Sequence, residues 1–223
     1  MKNRALLLAL PALLTAGSAQ AVSIDSFDLG VNAGTLGVGP TLGMTIVPDK
    51  FRARLTTGFA DYSDTAISEG IEYEGDLEIR NAALIGDYHP FGGIFRLSAG
   101  AVVNGNEFNA TGTVVGGQTY TSNGVTYTAG TGDSVDASVG FDDVAPYAGF
   151  GWGTAGVEGG LSLSADIGVM FQGTPEAEIS IDTDPALQAQ ADQYAREAED
   201  DLNSELEDFE MYPVIQLGAI YRF

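Results

Sequence analysis

The sequence has no cysteine, one histidine and one tryptophan, and only 9 basic residues against 31 acidic ones. Without cysteine there is no disulfide framework, no thiolate zinc or iron–sulfur centre and no thiol nucleophile. A formal charge of −22 excludes the clustered Lys/Arg surface that nucleic-acid phosphates require. No glycine-rich phosphate loop joins a strand to a helix, and neither an EF-hand loop nor a calcium-binding nonapeptide is present. No cofactor is therefore expected. Long apolar runs are missing too, apart from one near the N-terminus.

Glycine and apolar residues are plentiful: 30 glycines and 44% hydrophobic residues in a chain of 223. The mean hydropathy is slightly positive despite the charge, which separates the sequence from disordered acidic chains. Its length suits one domain with a core, or one closed barrel.

Met1–Ala21 has the layout of a secretory signal peptide. Lys2 and Arg4 form the basic start, Ala5–Leu14 the apolar stretch, and Ala19-Gln20-Ala21 the small-x-small cleavage site. The stretch is too short for a membrane helix, which needs roughly 20 residues. No cysteine follows it, so a lipid-anchored lipoprotein is excluded. Residues 1–21 are read as signal and 22–223 as one β-barrel domain. An exported chain with no second apolar span is a soluble periplasmic β-protein or a membrane barrel.

Strand patterning decides for the barrel. Phe95, Leu97, Ala99, Ala101 and Val103 alternate with Arg96, Ser98 and Gly100. Leu161, Leu163, Ala165, Ile167, Val169 and Phe171 alternate with Ser162, Ser164, Asp166, Gly168 and Gln172. Phe51–Tyr62 and Pro213–Phe223 behave alike, Val144–Trp152 is rich in aromatics and glycine, and Leu77–Tyr88 sets Leu77, Ile79, Ala83 and Ile85 against Glu78, Arg80 and Gly86. Segments of about ten residues match a tilted strand crossing hydrocarbon. The polar faces carry arginines that a dry core seldom accepts. Aromatics gather at the strand ends in two girdles: Phe51, Tyr88, Phe91, Phe95, Trp152, Tyr221 and Phe223, then Phe59, Tyr62, Phe171 and Tyr212.

Tight turns at 48–50, 89–93 and 154–160 alternate with long polar stretches at 64–76, 110–143 and 173–209. In membrane barrels the short turns face the periplasm and the long loops face outward. Residues 25–47 read as one long strand or a hairpin. The even-number rule then gives an all-β, antiparallel transmembrane barrel of eight strands, or ten if 115–128 enters the wall.

Arg52, Arg54, Arg96 and Arg222 lie near short turns or the C-terminus on the non-lipid face, which places them at the periplasmic end of the lumen. Glu78, Arg80 and Asp166 share that face and complete an expected lumen charge network, with Asp87 as a further partner. Such a network closes a narrow barrel, or it forms a selectivity-setting constriction. Asp184-Pro185 opens an acidic amphipathic helix over 185–207, before the last strand, with Leu187, Ala191, Tyr194, Ala198, Leu202 and Leu206 as its apolar stripe. It is expected at the barrel rim, in the lumen or against a partner. The acidic loops are candidate contacts for divalent cations.

His89 sits in a tight turn with no serine beside it, so no catalytic residue is assigned. His89-Pro90-Phe91-Gly92-Gly93, Phe95–Gly100, Ala145-Pro146-Tyr147, Gly149–Gly153, Asp166–Gly173 and Tyr212–Phe223 resemble a family of small proteobacterial outer-membrane β-barrel proteins of uncharacterised role that end in Tyr-Arg-Phe. That resemblance implies the bacterial outer membrane, contact with its lipids and lipopolysaccharide, and assembly by the barrel machinery through Phe223. The functional expectation is a non-enzymatic barrel with a structural, surface-interaction or narrow-pore role. The alternatives are a small ion or solute channel, a lipid-modifying barrel enzyme and a soluble periplasmic β-protein.

Overall fold

The computed structural model describes residues 26–68, 71–114, 118–122, 125–130, 132–153 and 159–223. The signal segment 1–21, with its cleavage site at Ala19 and Ala21, lies outside the described residues. The strands are β1 (Ser26–Gly34), β2 (Gly37–Val47), β3 (Phe51–Ser68), β4 (Ile71–Tyr88), β5 (Phe95–Asn104), β6 (Glu107–Val114), β7 (Gln118–Ser122), β8 (Val125–Ala129), β9 (Ser134–Gly140), β10 (Val144–Trp152), β11 (Gly160–Phe171), β12 (Glu176–Asp182) and β13 (Met211–Arg222). The helix α1 (Gln188–Leu206) and a 3-10 turn at Glu207–Phe209 precede β13.

Eight strands close into a ring in the order β1-β2-β3-β4-β5-β10-β11-β13, with β13 returning to β1. Every neighbouring pair is antiparallel. Within the expected 25–47 segment, residues 26–47 form the hairpin β1–β2, which makes the count even. The β7–β8 hairpin forms a separate two-stranded sheet and does not enter the wall.

Apolar side chains on the outside of this ring point away from the protein. Leu97, Ile167 and Leu217 are 47%, 44% and 64% exposed, and Phe27, Leu42, Leu55, Leu84 and Val103 share their face. A water-facing surface would not carry a belt of this extent, so hydrocarbon covers it. At the short-turn end Phe95 packs edge-on against Trp152, and Phe51 stacks on Tyr88. These pairs belong to the interfacial girdle.

Two expectations need correction here. In β4 the faces are reversed: Ala83, Ile85 and Asp87 are buried in the lumen, while Leu84 and Tyr88 face outward. A narrow lumen holds apolar as well as polar side chains, so the apolar series of Leu77–Tyr88 did not mark lipid. Second, among the described residues the stretches 64–76 and 110–143 are largely strand, and 173–209 holds the strand β12 and then α1. β3 and β4 pair continuously from Phe51↔Tyr88 to Ser68↔Ile71. At 18 residues each, they run about 60 Å, well beyond the bilayer. Above the barrel β4 pairs with β6, β6 with β9, and β9 with β12, giving an outer sheet that rises from one side of the wall.

α1 covers the free edge of that sheet. The side chain of Asn203 accepts from Ala177 N at 2.7 Å and donates to Ala177 O at 3.2 Å. Glu199 accepts from Ile179 N, and Gln188 donates to Ile181 O. Without these partners the β12 edge would present unpaired backbone groups, the usual template for edge-to-edge association. The helix begins three residues later than expected, because Asp184 to Leu187 form a turn in which the Asp184 carbonyl accepts from Leu187 N and Gln188 N. Ala191 and Ala195 are its buried residues. It sits against the outer sheet, not inside the lumen.

Candidate functional site

The inward side chains make three layers, beginning with charge at the short-turn end. Arg54 on β3 reaches across the barrel to Asp166 on β11, its diametric neighbour in the ring, through two hydrogen bonds of 2.8 and 2.9 Å. Its Nε lies 3.0 Å from Asp87 on β4. Arg96 on β5 also donates to Asp166, at 2.8 and 2.9 Å from Nη2, and to the Gly153 carbonyl at 2.9 Å. Ser98 donates to Asp87 at 2.6 Å. A second group joins Asp28 on β1 with Arg52 and Arg222, the latter at 2.8 Å. Arg96 and Asp87 are 1% exposed and Asp166 5%. Bidentate arginine–carboxylate pairs of this kind are directional and strong once desolvated.

Glycine makes room for these side chains. A Cβ on Gly151 would meet Asp166 Oδ1 at 2.5 Å and Arg96 Nε at 3.2 Å, and one on Gly43 would meet both Arg52 and Asp28 at 3.0 Å. At these two positions glycine is a packing device: Arg52 with Asp28, and Arg96 with Asp166, lie over a neighbour that has no side chain.

Asn32, Thr41 and Thr56 form the middle layer, bonded to one another at 2.6–3.0 Å. They border a cavity of about 20 Å³ together with Asp166 and Gln216. That is room for about one water molecule. Both side-chain ends of Gln216 are buried without a protein partner among the described residues, so a water there has groups to bind.

The outer layer is apolar. Leu36, at the tip of the β1–β2 turn, is 3% exposed and packs with Ala83, Ile85, Val102, Ala145, Tyr147, Met170 and Val214. The turn is fastened over the mouth: Tyr212 donates to Thr35 O at 2.7 Å, Thr35 donates to Pro213 O at 3.0 Å, and Asn81 reaches Leu36 O at 3.4 Å. Gly37 permits this, since its φ of 96° is strained for any side-chain-bearing residue.

Of the residues expected in the lumen network, Arg52, Arg54, Arg96, Asp166 and Arg222 come together there. Glu78 and Arg80 do not. Both are about half exposed on the outward face of β4, where Arg80 pairs with Glu78 at 2.9 Å and with Asp61 at 3.0 Å. The reversed facing of β4 explains it, and the same reversal brings Asp87 inside. Asp28 was not anticipated, although its place between Phe27 and Leu29 follows the same alternation.

His89 is fully buried in the β4–β5 turn, where Nδ1 donates to the carbonyls of Gly93 at 2.9 Å and Phe95 at 3.1 Å. Burial lowers its pKa from the ordinary histidine value. It braces a turn. The acidic residues of the outer sheet are spread along one face, and among the described residues no cluster of three or more is placed to hold a metal ion.

A lipid-facing apolar belt, a closed antiparallel ring and a filled lumen define an eight-stranded transmembrane β-barrel of the outer-membrane type. Solved structures agree on the fold. The chain is similar to the crystal structures of Acinetobacter baumannii CarO2 (19% identity, TM-score 0.58, covering 90% of this chain and 100% of that one) and CarO (19%, 0.55, 92% and 100%). A major outer membrane protein from Thermus thermophilus overlaps more loosely, at 17% identity and a TM-score of 0.38 over 89% of this chain and 99% of that one. No family model and no curated protein sequence matches the chain.

Proposed function

We propose that this is a non-enzymatic outer-membrane protein of Gram-negative bacteria whose barrel anchors and whose outer sheet, with α1, is the working surface. The observation that carries this reading is the Arg54–Asp166 clasp across the lumen, roofed by the Leu36 cluster. Among the described residues the space between the two layers is only about 20 Å³, room for about one water, which supports a lumen closed to solute. The effort of the sequence goes instead into strands far longer than a bilayer needs and into a helix that finishes the sheet edge. Residues 1–21 direct export, Phe223 is presented to the assembly machinery, and outer-membrane lipids with lipopolysaccharide cover the belt. The resemblance to small proteobacterial barrels ending in Tyr-Arg-Phe fits the same location and architecture.

The test is reconstitution of the folded barrel in planar bilayers. A surface role predicts a silent protein at moderate voltage. A steady ohmic conductance, reduced or enlarged by Arg96→Ala, would make it a narrow channel instead.

A further inference from the structure

The inner face of the outer sheet does not fit flush against α1. Between them lies a cavity of about 220 Å³, lined by Ile71 and Tyr73 of β4, Val114 of β6, Val135 of β9, Ile181 of β12, and Tyr194 with Ala198 of the helix. Its size has a local cause. The helix meets the sheet through alanines, Ala191, Ala195 and Ala198, and the sheet opposite carries Gly112, paired with Tyr73. Small residues on both sides leave a gap that neither side chain set fills. The space is a cleft open on one side, where Tyr73 is 44% exposed, and it is larger than the apolar void of about 150 Å³ that admits benzene.

The chemistry of the wall narrows the occupant. Aliphatic and aromatic carbon dominates it, and the polar side chains of the lining are the phenols of Tyr73 and Tyr194 and the Asp133 carboxylate. Asp133 already accepts from Gly130 N at 2.8 Å and from Thr183 at 2.7 Å, so it is engaged in holding its own turn. The chain around the cavity is strongly acidic, which repels anions. We infer that this cavity is a binding site for an uncharged, ring-sized apolar molecule, taken up from the outer side of the membrane. The inference goes beyond the surface role proposed above and does not depend on whether the lumen conducts.

Binding of 4-fluorotoluene to the full-length folded barrel in detergent, followed by 19F NMR, tests it. Partition into micelles is not saturable; the site predicts a saturable component of about one ligand per barrel. Ala198→Phe fills the cavity from the helix and Gly112→Val from the sheet, where an added Cβ would lie 3.3 Å from Ile71 and 3.5 Å from Tyr73. Each should weaken the saturable component at least tenfold while heat-modifiable gel mobility reports an intact barrel. 4-Fluorobenzoate should bind at least tenfold more weakly than 4-fluorotoluene. Absence of saturable binding, wild-type binding in both filled variants, or equal binding of the carboxylate would overturn the inference.

Discussion

The two ends of the lumen are closed by opposite kinds of chemistry. At the short-turn end four arginines and three aspartates interlock, each holding its partners by directional bonds. At the outer end Leu36 drops into a nest of Ala83, Ile85, Val102, Tyr147, Met170 and Val214, where contact area rather than geometry supplies the stabilisation. The ionic layer is intolerant: removing one member leaves a buried charge without its partner. The apolar layer is forgiving, because neighbouring side chains and a turn can settle into part of the space.

That contrast is open to direct challenge. Asp166→Ala takes from Arg54 and Arg96 the carboxylate they share and leaves Asp87 as the one carboxylate facing both, which should cost about 3–5 kcal/mol, read as a lowered denaturation midpoint of the micelle-embedded barrel. Arg80→Ala, on the exposed face, serves as its control and should leave the midpoint unchanged. Leu36→Ala should cost about 2–3 kcal/mol in the same assay, since the turn can partly collapse onto the gap. Equal losses at Asp166 and Leu36 would erase the distinction between the layers. Outside the barrel, Asn203→Ala removes both partners of Ala177 and should cost about 1 kcal/mol locally, seen as faster hydrogen exchange of the Ala177 amide with the barrel unaffected.

The smallest effect concerns His89. Burial favours its neutral form, so near pH 6 the folded protein binds fewer protons at this site than the unfolded chain does. Stability therefore rises with pH through the ordinary histidine range and falls as pH drops below about 6.5. His89→Gln should flatten the midpoint between pH 7.5 and 5.5; an unchanged slope would remove the histidine from the account.

Much of the barrel was legible because lipid imposes a simple rule. Wherever a strand faces hydrocarbon on one side and small polar residues on the other, as in β5, β11 and β13, alternation reports the facing correctly. β4 shows where the rule stops. Its lumen face carries Ala83 and Ile85 and its lipid face includes Gly86, so the pattern reads equally well upside down. Glu78 and Arg80 were drawn into the lumen by that inversion. The outer sheet was illegible for another reason. β6, β9 and β12 are short, carry polar or acidic residues at every other position, and find partners far along the chain, as when Ile71 pairs with Val114. Each alternates, as Ala177, Ile179 and Ile181 do in β12, but over only seven or eight residues and inside long polar stretches, so the pattern did not stand out from loop. The clasp itself lay between: its arginines were readable from their position near short turns, whereas the span of Arg54 to the opposite wall depends on ring closure.

The absence of cysteine makes the decisive measurement clean. Thr56→Cys places a single thiol in the middle layer of the lumen, and Leu55→Cys places one on the lipid-facing side of the same strand. With the barrel reconstituted in vesicles, a sealed lumen predicts that a charged, membrane-impermeant maleimide leaves the thiol at both positions unmodified, while a lipophilic maleimide labels only the Leu55 site. Rapid modification of the Thr56 site by the charged reagent would contradict it, since water and solute would then reach the space between the two layers.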